Sequence, residues 1–274
     1  MRYLRPSTVA EAVGDLGTGA TLLAGGTALV PLLTRAPAAV LLDLRQIEAL
    51  QALDDGADGL RVGAMVTLAR LLDAAATADA DRTGDRCLAQ AARSVGNPNV
   101  RRAATVGGNL ALPAGDLHPA LLVLEATVAI SAAGQTDRDL PGSVLADGGI
   151  PGGALIRHVN IPREPGRRSA FVKFAWRAAS GITLVSVAAS MLIHDHTVVA
   201  ARLAAAGVRA RASRLPEAER VLVGQPAGDA LFARAGAVGG AELPCEIGNS
   251  PSAAYRRRLV EEGLRRALAD GAGR

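Results

Sequence analysis

Thr21-Leu22-Leu23-Ala24-Gly25-Gly26-Thr27-Ala28-Leu29 stands near the start of the chain. Its apolar first half reads as a short buried strand, and two consecutive glycines follow it. Thr27 then opens a helical pattern through residue 33 that stops before Pro37. Strand, glycine turn and helix in that order gather backbone N–H groups at one point, which suits an anion such as phosphate. Glycines let the backbone approach a ligand closely, and the Thr27 hydroxyl adds a hydrogen-bonding group. The spacing is neither G-x-G-x-x-G nor G-x-x-x-x-G-K-[S/T], so neither a Rossmann site nor a P-loop is indicated. A Gly-Gly-Thr turn by itself is more often an ordinary tight turn.

The flanking sequence extends this pattern. Thr8 followed by Glu11 predicts a capping box and a short helix up to Leu16. Residues 40–44 read as a second strand, so the first fifty or so residues alternate helix and strand as an α/β unit does. Residues 60–64 predict a strand, Thr67 caps a helix over 68–76, and 87–95 form an alanine-rich helix ending at Gly96-Asn97-Pro98. A helix over 119–124 and strands over 126–132 and 155–161 follow. Polar residues 163–168, with Pro165 and Gly166, mark the boundary to a smaller C-terminal part. That part carries strand-like runs at 169–176, 184–193 and 198–205, and a helical tail over about 252–268.

Thr105-Val106-Gly107-Gly108-Asn109 repeats the logic of the first turn. It pairs two glycines with a threonine and an asparagine that can bond a second phosphate or a sugar-like chain. Asp116 follows, and a carboxylate is a good acceptor for hydroxyl groups.

Composition narrows the function classes. The 274 residues are 49% hydrophobic, enough for a sizeable core without disulfides or metals. Aromatics are only 2%, so that core is built from small side chains. The net charge of +4 and pI near 9.8 come from scattered arginines, with short clusters at Arg167-Arg168 and Arg256-Arg257-Arg258. No nucleic-acid-binding signature accompanies them. Cys87 and Cys245 stand far apart and read as unpaired thiols, with no CxxC pair, metal-ligand cluster or iron–sulfur spacing. Neither a signal peptide nor a membrane span is visible, and the expectation is a cytoplasmic protein with no membrane or nucleic-acid partner.

Several segments occur in a telling order. They are Tyr3-Leu4-Arg5-Pro6, Leu23-Ala24-Gly25-Gly26-Thr27, Val62-Gly63-Ala64 with Thr67, and Val100-Arg101-Arg102-Ala103-Ala104-Thr105-Val106-Gly107-Gly108-Asn109-Leu110. Pro113-Ala114-Gly115-Asp116-Leu117-His118-Pro119-Ala120-Leu121 follows, then the strand to Ile161-Pro162, Phe171-Val172-Lys173 with Arg177, and Ala254-Tyr255-Arg256. This set resembles the FAD-binding medium subunit of molybdenum hydroxylases, the xanthine dehydrogenase and carbon monoxide dehydrogenase superfamily, over nearly the whole chain.

The resemblance implies an α+β fold. An FAD-binding domain of the vanillyl-alcohol oxidase (PCMH) type would span 1–165, in subdomains of about 1–55 and 56–165. A smaller α+β C-terminal domain would span 166–274. It implies that Leu22, Leu23, Ala24, Gly25, Gly26, Thr27, Ala28 and Leu29 hold the pyrophosphate and its neighbours. Thr105, Val106, Gly107, Gly108 and Asn109 would line the flavin side and the phosphates, and Val95 joins the cofactor-binding set. Asp116 would bond ribityl or ribose hydroxyls, and Ile156 would touch the flavin through its backbone. Lys173 would stand near the flavin, where a cation favours the reduced anionic form. No catalytic side chain and no metal ligand is assigned. The implied partners are a molybdenum-binding large subunit and a 2Fe-2S small subunit, with NAD, a quinone or oxygen as electron acceptor.

The chain also departs from the family. The Asn109–Asp116 interval is about two residues shorter than in many relatives, Ala154 replaces a common glutamate, and Ala178-Ala179-Ser180-Gly181 replaces a stretch that often holds an aspartate. These departures motivate a second reading, a stand-alone FAD-dependent oxidoreductase acting directly on a small molecule. His118, His158, Trp176 and Tyr255 would then be acid–base or stacking candidates. Their plainer reading is ordinary polar residues and core or interface aromatics. A third class is a binding or assembly protein that has lost its flavin.

Overall fold

The computed structural model describes residues 1–77, 85–176, 182–246 and 252–273. Arg177 and the 178–181 stretch lie outside the described residues. The first layer holds β1 (Arg2–Leu4), α1 (Val9–Leu16), β2 (Thr21–Leu23), α2 (Val30–Leu33) and β3 (Val40–Asp43). Its strands form a parallel sheet in the order β1-β3-β2. The capping box on α1 is present: Glu11 N–H donates to the Thr8 hydroxyl (3.1 Å), and Thr8 N–H to the Glu11 carboxylate (3.3 Å).

The second layer begins with β4 (Leu53–Asp55) and β5 (Gly59–Gly63). Five helices follow: α3 (Leu68–Thr77), α4 (Arg86–Ser94), α5 (Pro98–Ala103), α6 (Val106–Leu110) and α7 (His118–Val123). It is completed by β6 (Thr127–Ala132), β7 (Arg138–Pro141), α8 (Val144–Asp147) and β8 (Ala154–Pro162). These strands make an antiparallel sheet in the order β4-β5-β8-β6-β7.

The third layer is a four-stranded antiparallel sheet of β9 (Arg167–Ala175), β10 (Thr183–His194), β11 (Thr197–Ala206) and β12 (Ser213–Arg214). Helices α9 (Pro216–Leu222), α10 (Asp229–Glu242) and α11 (Ala253–Gly271) complete it. This sheet is buried on both faces. Phe171, Ala188, Ala204 and Ala206 join the core that contains α4 and α7. Their strand neighbours Ala170, Val187, Ala189 and Ala205 join the core that contains α10 and α11. Alternation of side chains along a strand puts successive residues into different cores. The alanine-rich strands follow from this, because small side chains let helices pack closely on both sides.

Helix α10 gave no signal in the sequence. Its alanines and glycines run round every face, so no apolar stripe stands out. The same small residues let it lie directly on α11, with Gly236 against the Glu261 carbonyl.

Candidate functional site

The first glycine turn leaves the carboxyl end of the parallel sheet, where Leu23 of β2 pairs with Asp43 of β3. The helix expected from Thr27 begins only at Val30, with Leu29 as its N-cap and Pro31 in its first turn. Residues 25–29 are therefore an open turn, with Val30 N–H closing it onto the Gly26 carbonyl (2.9 Å). Among the described residues, the N–H groups of Gly25, Gly26, Thr27, Ala28 and Leu29 donate to no acceptor within the chain. Thr27 and Ala28 are exposed, while Leu22, Leu23, Ala24, Gly25, Gly26 and Leu29 are half-buried. Five successive free donors in one turn suit an anion without any contribution from a helix terminus.

Asp43, missed from sequence, anchors this edge. Its side chain is fully buried and accepts from the Tyr3 hydroxyl and from Arg45 Nε (3.0 Å) and Nη2 (2.7 Å). Burial pushes its pKa up, but the hydrogen bonds from Arg45 and Tyr3 outweigh burial and hold it at about 2. The charged carboxylate thus ties β1 to the strand beside the glycine turn.

The second glycine turn differs from its expected form. Val106–Leu110 is the short helix α6, and its Thr105 side chain caps Gly108 N–H (3.1 Å). Val106 N–H donates to Val66 O (3.0 Å), Gly107 N–H to Ala64 O (2.8 Å) and Asn109 N–H to Thr105 O (3.0 Å). With these donors engaged inside the protein, the second turn is no copy of the first as a phosphate nest. It is a rigid seat, and the 64–67 segment braces it, which explains why Val62-Gly63-Ala64 and Thr67 accompany it. The two turns touch: a Cβ on Gly25 would lie 1.8 Å from the Ala103 carbonyl oxygen, and one on Gly108 would lie 3.8 Å from Ala24 Cβ. Glycine at 25 is required by this close approach.

Asn109 Oδ1 accepts from Leu117 N–H (3.0 Å) and so closes the turn that carries Asp116. Asp116 and Lys173 were expected to serve the cofactor separately; the structure makes them one ion pair, Lys173 Nζ to Asp116 Oδ2 at 2.9 Å. Lys173 also donates to Ser94 O (3.1 Å), beside the half-buried Val95. The Thr183 hydroxyl, unnoticed in the sequence, donates to Asp116 Oδ1 (2.6 Å). Ile156 is buried in β8 opposite Ile130, and β5 stops short of it at the Gly63–His158 pair. Its edge of β8 therefore lacks a β5 partner.

The four acid–base or stacking candidates do not converge. His118 is fully buried with neither ring nitrogen hydrogen-bonded. Burial lowers its pKa to about 4, helped by the charge of Arg211; the nearby Leu110 and Asn109 carbonyls oppose this. His158 is also lowered, first by burial and then by Arg61, whose Nη2 lies 3.2 Å from its Nδ1. Trp176 and Tyr255 are not core residues; they are 58% and 49% exposed. Cys87 is a buried free thiol, pushed up to about 12 by burial. Among the described residues no three His, Cys, Asp or Glu side chains gather to hold a metal, and no helix is long and apolar enough to cross a membrane.

Free N–H donors that suit an anion, and a carboxylate able to accept from hydroxyls, are compatible with FAD. Comparison with known proteins agrees. Residues 1–164 match the family described as "FAD binding domain in molybdopterin dehydrogenase". The chain belongs to this family. Residues 170–270 match the "CO dehydrogenase flavoprotein C-terminal domain". The chain is thus a molybdopterin-dehydrogenase flavoprotein, an oxidoreductase component whose cofactor is FAD. This flavoprotein is 28% identical to the nicotine 6-hydroxylase medium subunit of Paenarthrobacter nicotinovorans, covering 100% of this chain and 98% of that one. Its fold matches a chain of quinoline 2-oxidoreductase from Pseudomonas putida 86 with a TM-score of 0.87 at 26% identity, covering 100% and 97% of the two chains. It also matches a chain of carbon monoxide dehydrogenase from Hydrogenophaga pseudoflava with a TM-score of 0.90 at 24% identity, over 100% and 97%.

Proposed function

We propose that this flavoprotein is the electron-transfer subunit of a molybdenum hydroxylase. It receives electrons from a 2Fe-2S small subunit, which relays them from a molybdenum-binding large subunit. It delivers them to an external acceptor such as NAD, a quinone or oxygen. The observation that carries this reading is the run of five free N–H groups at Gly25–Leu29, seated on the second glycine turn. The correspondence with a medium subunit from end to end supports the subunit role.

The chain's own residues have distinct tasks in this reading. Donors from Gly25 to Leu29 bind the diphosphate, with Leu22, Leu23 and Ala24 leading into them. Thr105–Asn109 supply a rigid wall rather than further phosphate donors. Asp116 keeps lone pairs for a ribityl or ribose hydroxyl beyond those used by Lys173 and Thr183. Lys173 is held by Asp116 and Ser94 O, so it acts on the flavin as half of an ion pair, and its pull on a reduced flavin is weaker than that of a lone cation. Val95 and the backbone of Ile156 complete the lining. FAD, when bound, supplies the exchange between one-electron and two-electron transfer.

The test is the visible spectrum of the purified full chain, followed by reduction with and without the two partner subunits. Flavin bands and a strict need for both partners are expected. A colourless chain that takes up no FAD would sink the reading. Turnover of an organic substrate by the chain alone would replace it with the stand-alone flavoenzyme.

A further inference from the structure

The Ala254-Tyr255-Arg256 segment has so far no task, yet Arg256 is among the least comfortable residues in the protein. It lies in the first turn of α11 and is only 6% exposed. Among the described residues no carboxylate lies within ion-pair distance of it, and its Nε has no partner. Burying a guanidinium without a counter-charge is costly. Its Nη1 spends that cost on two backbone carbonyls, Leu184 O (2.6 Å) and Gly207 O (2.7 Å).

Leu184 is the extra residue of a β-bulge. From Val185 onward β10 pairs with β9 in regular register: Val185 with Phe174, Ser186 with Lys173, Val187 with Val172. Thr183 pairs with Ala175, one position out of that register. Side chains alternate along a strand, so the slip reverses which face Thr183 occupies. Without it Thr183 would share the face of Val185 and Val187, toward α11. With it Thr183 shares the face of Ala175 and Lys173, and its hydroxyl reaches Asp116 at 2.6 Å. The carbonyl of this bulged residue faces Gly207, just beyond the end of β11, and Arg256 Nη1 donates to it there. Gly207, at φ +90°, makes room, because a Cβ there would lie 2.1 Å from the Leu184 oxygen.

We infer that Arg256 is a positioning residue for the flavin pocket: it holds the β10 bulge that turns Thr183 onto Asp116 and so fixes the orientation of that carboxylate. The inference rests on the reading that Asp116 accepts from a cofactor hydroxyl.

The experiment titrates FAD into the flavin-free full chain, reading flavin fluorescence for Kd and following the unfolding midpoint in parallel. Thr183→Val and Arg256→Met should each raise Kd about tenfold, the size of one lost hydrogen bond to a charged group. The double variant should bind no more weakly than either single one, because both break the same link. Arg256→Lys keeps the charge and an ammonium with three N–H donors on a shorter side chain, and so the fold if Arg256→Met fails to fold. It should weaken FAD by only about threefold, and that loss should vanish in the Thr183→Val background. Additive losses in the double variant, or a lowered unfolding midpoint with unchanged Kd, would make Arg256 purely structural and overturn the inference. Asp116→Asn separates the two levels. If it leaves Kd unchanged, the assigned role of Asp116 fails and this inference with it. If it weakens FAD while the Arg256 variants do not, only the inference falls.

Discussion

His118 begins α7 with no exposed surface and no hydrogen-bond partner for either ring nitrogen. Burial depresses its pKa from 6.5 to about 4, so the folded chain keeps it neutral where the unfolded chain takes up a proton. The unfolded state thus binds more protons between those values, and stability rises with pH across the window. The contribution is complete above about pH 6.5 and is lost as pH falls through about 4, with an upper size of about 3 kcal/mol. Denaturant unfolding from pH 4 to 7 should show this slope, and His118→Leu should flatten it. A wild-type curve no steeper than the variant's would show that the imidazole is solvated. The sequence marked His118 as a motif member and an acid–base candidate, since nothing local announces that α7 is covered on all sides. The same holds for Lys173. Its residue type suggested a lone cation, but its partner Asp116 lies 57 positions away.

At the scale of elements, the legible ones were those with their own punctuation. The capping box of α1, the Thr67 hydroxyl that accepts from Arg70 N–H (3.2 Å), and the long strands β10 and β11 all have local causes. Others were misread because the deciding contacts are distant. The helix expected at Thr27 is an open turn, and the second glycine turn becomes α6 with its donors committed to the 64–66 segment. Strand β10 shows what alanine is for in a low-aromatic chain. Ala188 is fully buried on the face toward α4 and α7, and Ala189 on the face toward α10 and α11. Ala188→Leu should therefore destabilise by about 1–3 kcal/mol through overpacking, measured by urea unfolding. An unchanged midpoint would mean that the helices are not in tight contact with this strand.

The whole molecule is held as one unit by that doubly covered sheet and by charges that bridge its parts. Arg202 of β11 pairs with Glu125 (2.6 Å), which follows α7, and with Glu164 (2.5 Å), between β8 and β9. Arg214 of β12 also reaches Glu125 (3.9 Å). Lys173 and Thr183 of the third layer hold Asp116 of the second. A division at residue 165, read from proline, glycine and charge, marks where the chain turns, but the buried core runs across it. Thermal unfolding should accordingly be a single cooperative transition, with coincident loss of secondary structure and tryptophan signal. Two resolved transitions would contradict a shared core.

The two glycine turns, their order, the family and hence FAD are legible in the sequence, because each motif is a short run whose backbone chemistry is local. Only packing settles which turn keeps its N–H groups free, that Asp116 and Lys173 form one ion pair, and what surrounds Thr183, Asp43 and Arg256. Those outcomes depend on register, on a single bulged residue and on packing between layers. A change of one position in pairing moves a side chain from one core to the other, and no local pattern in the sequence records that choice.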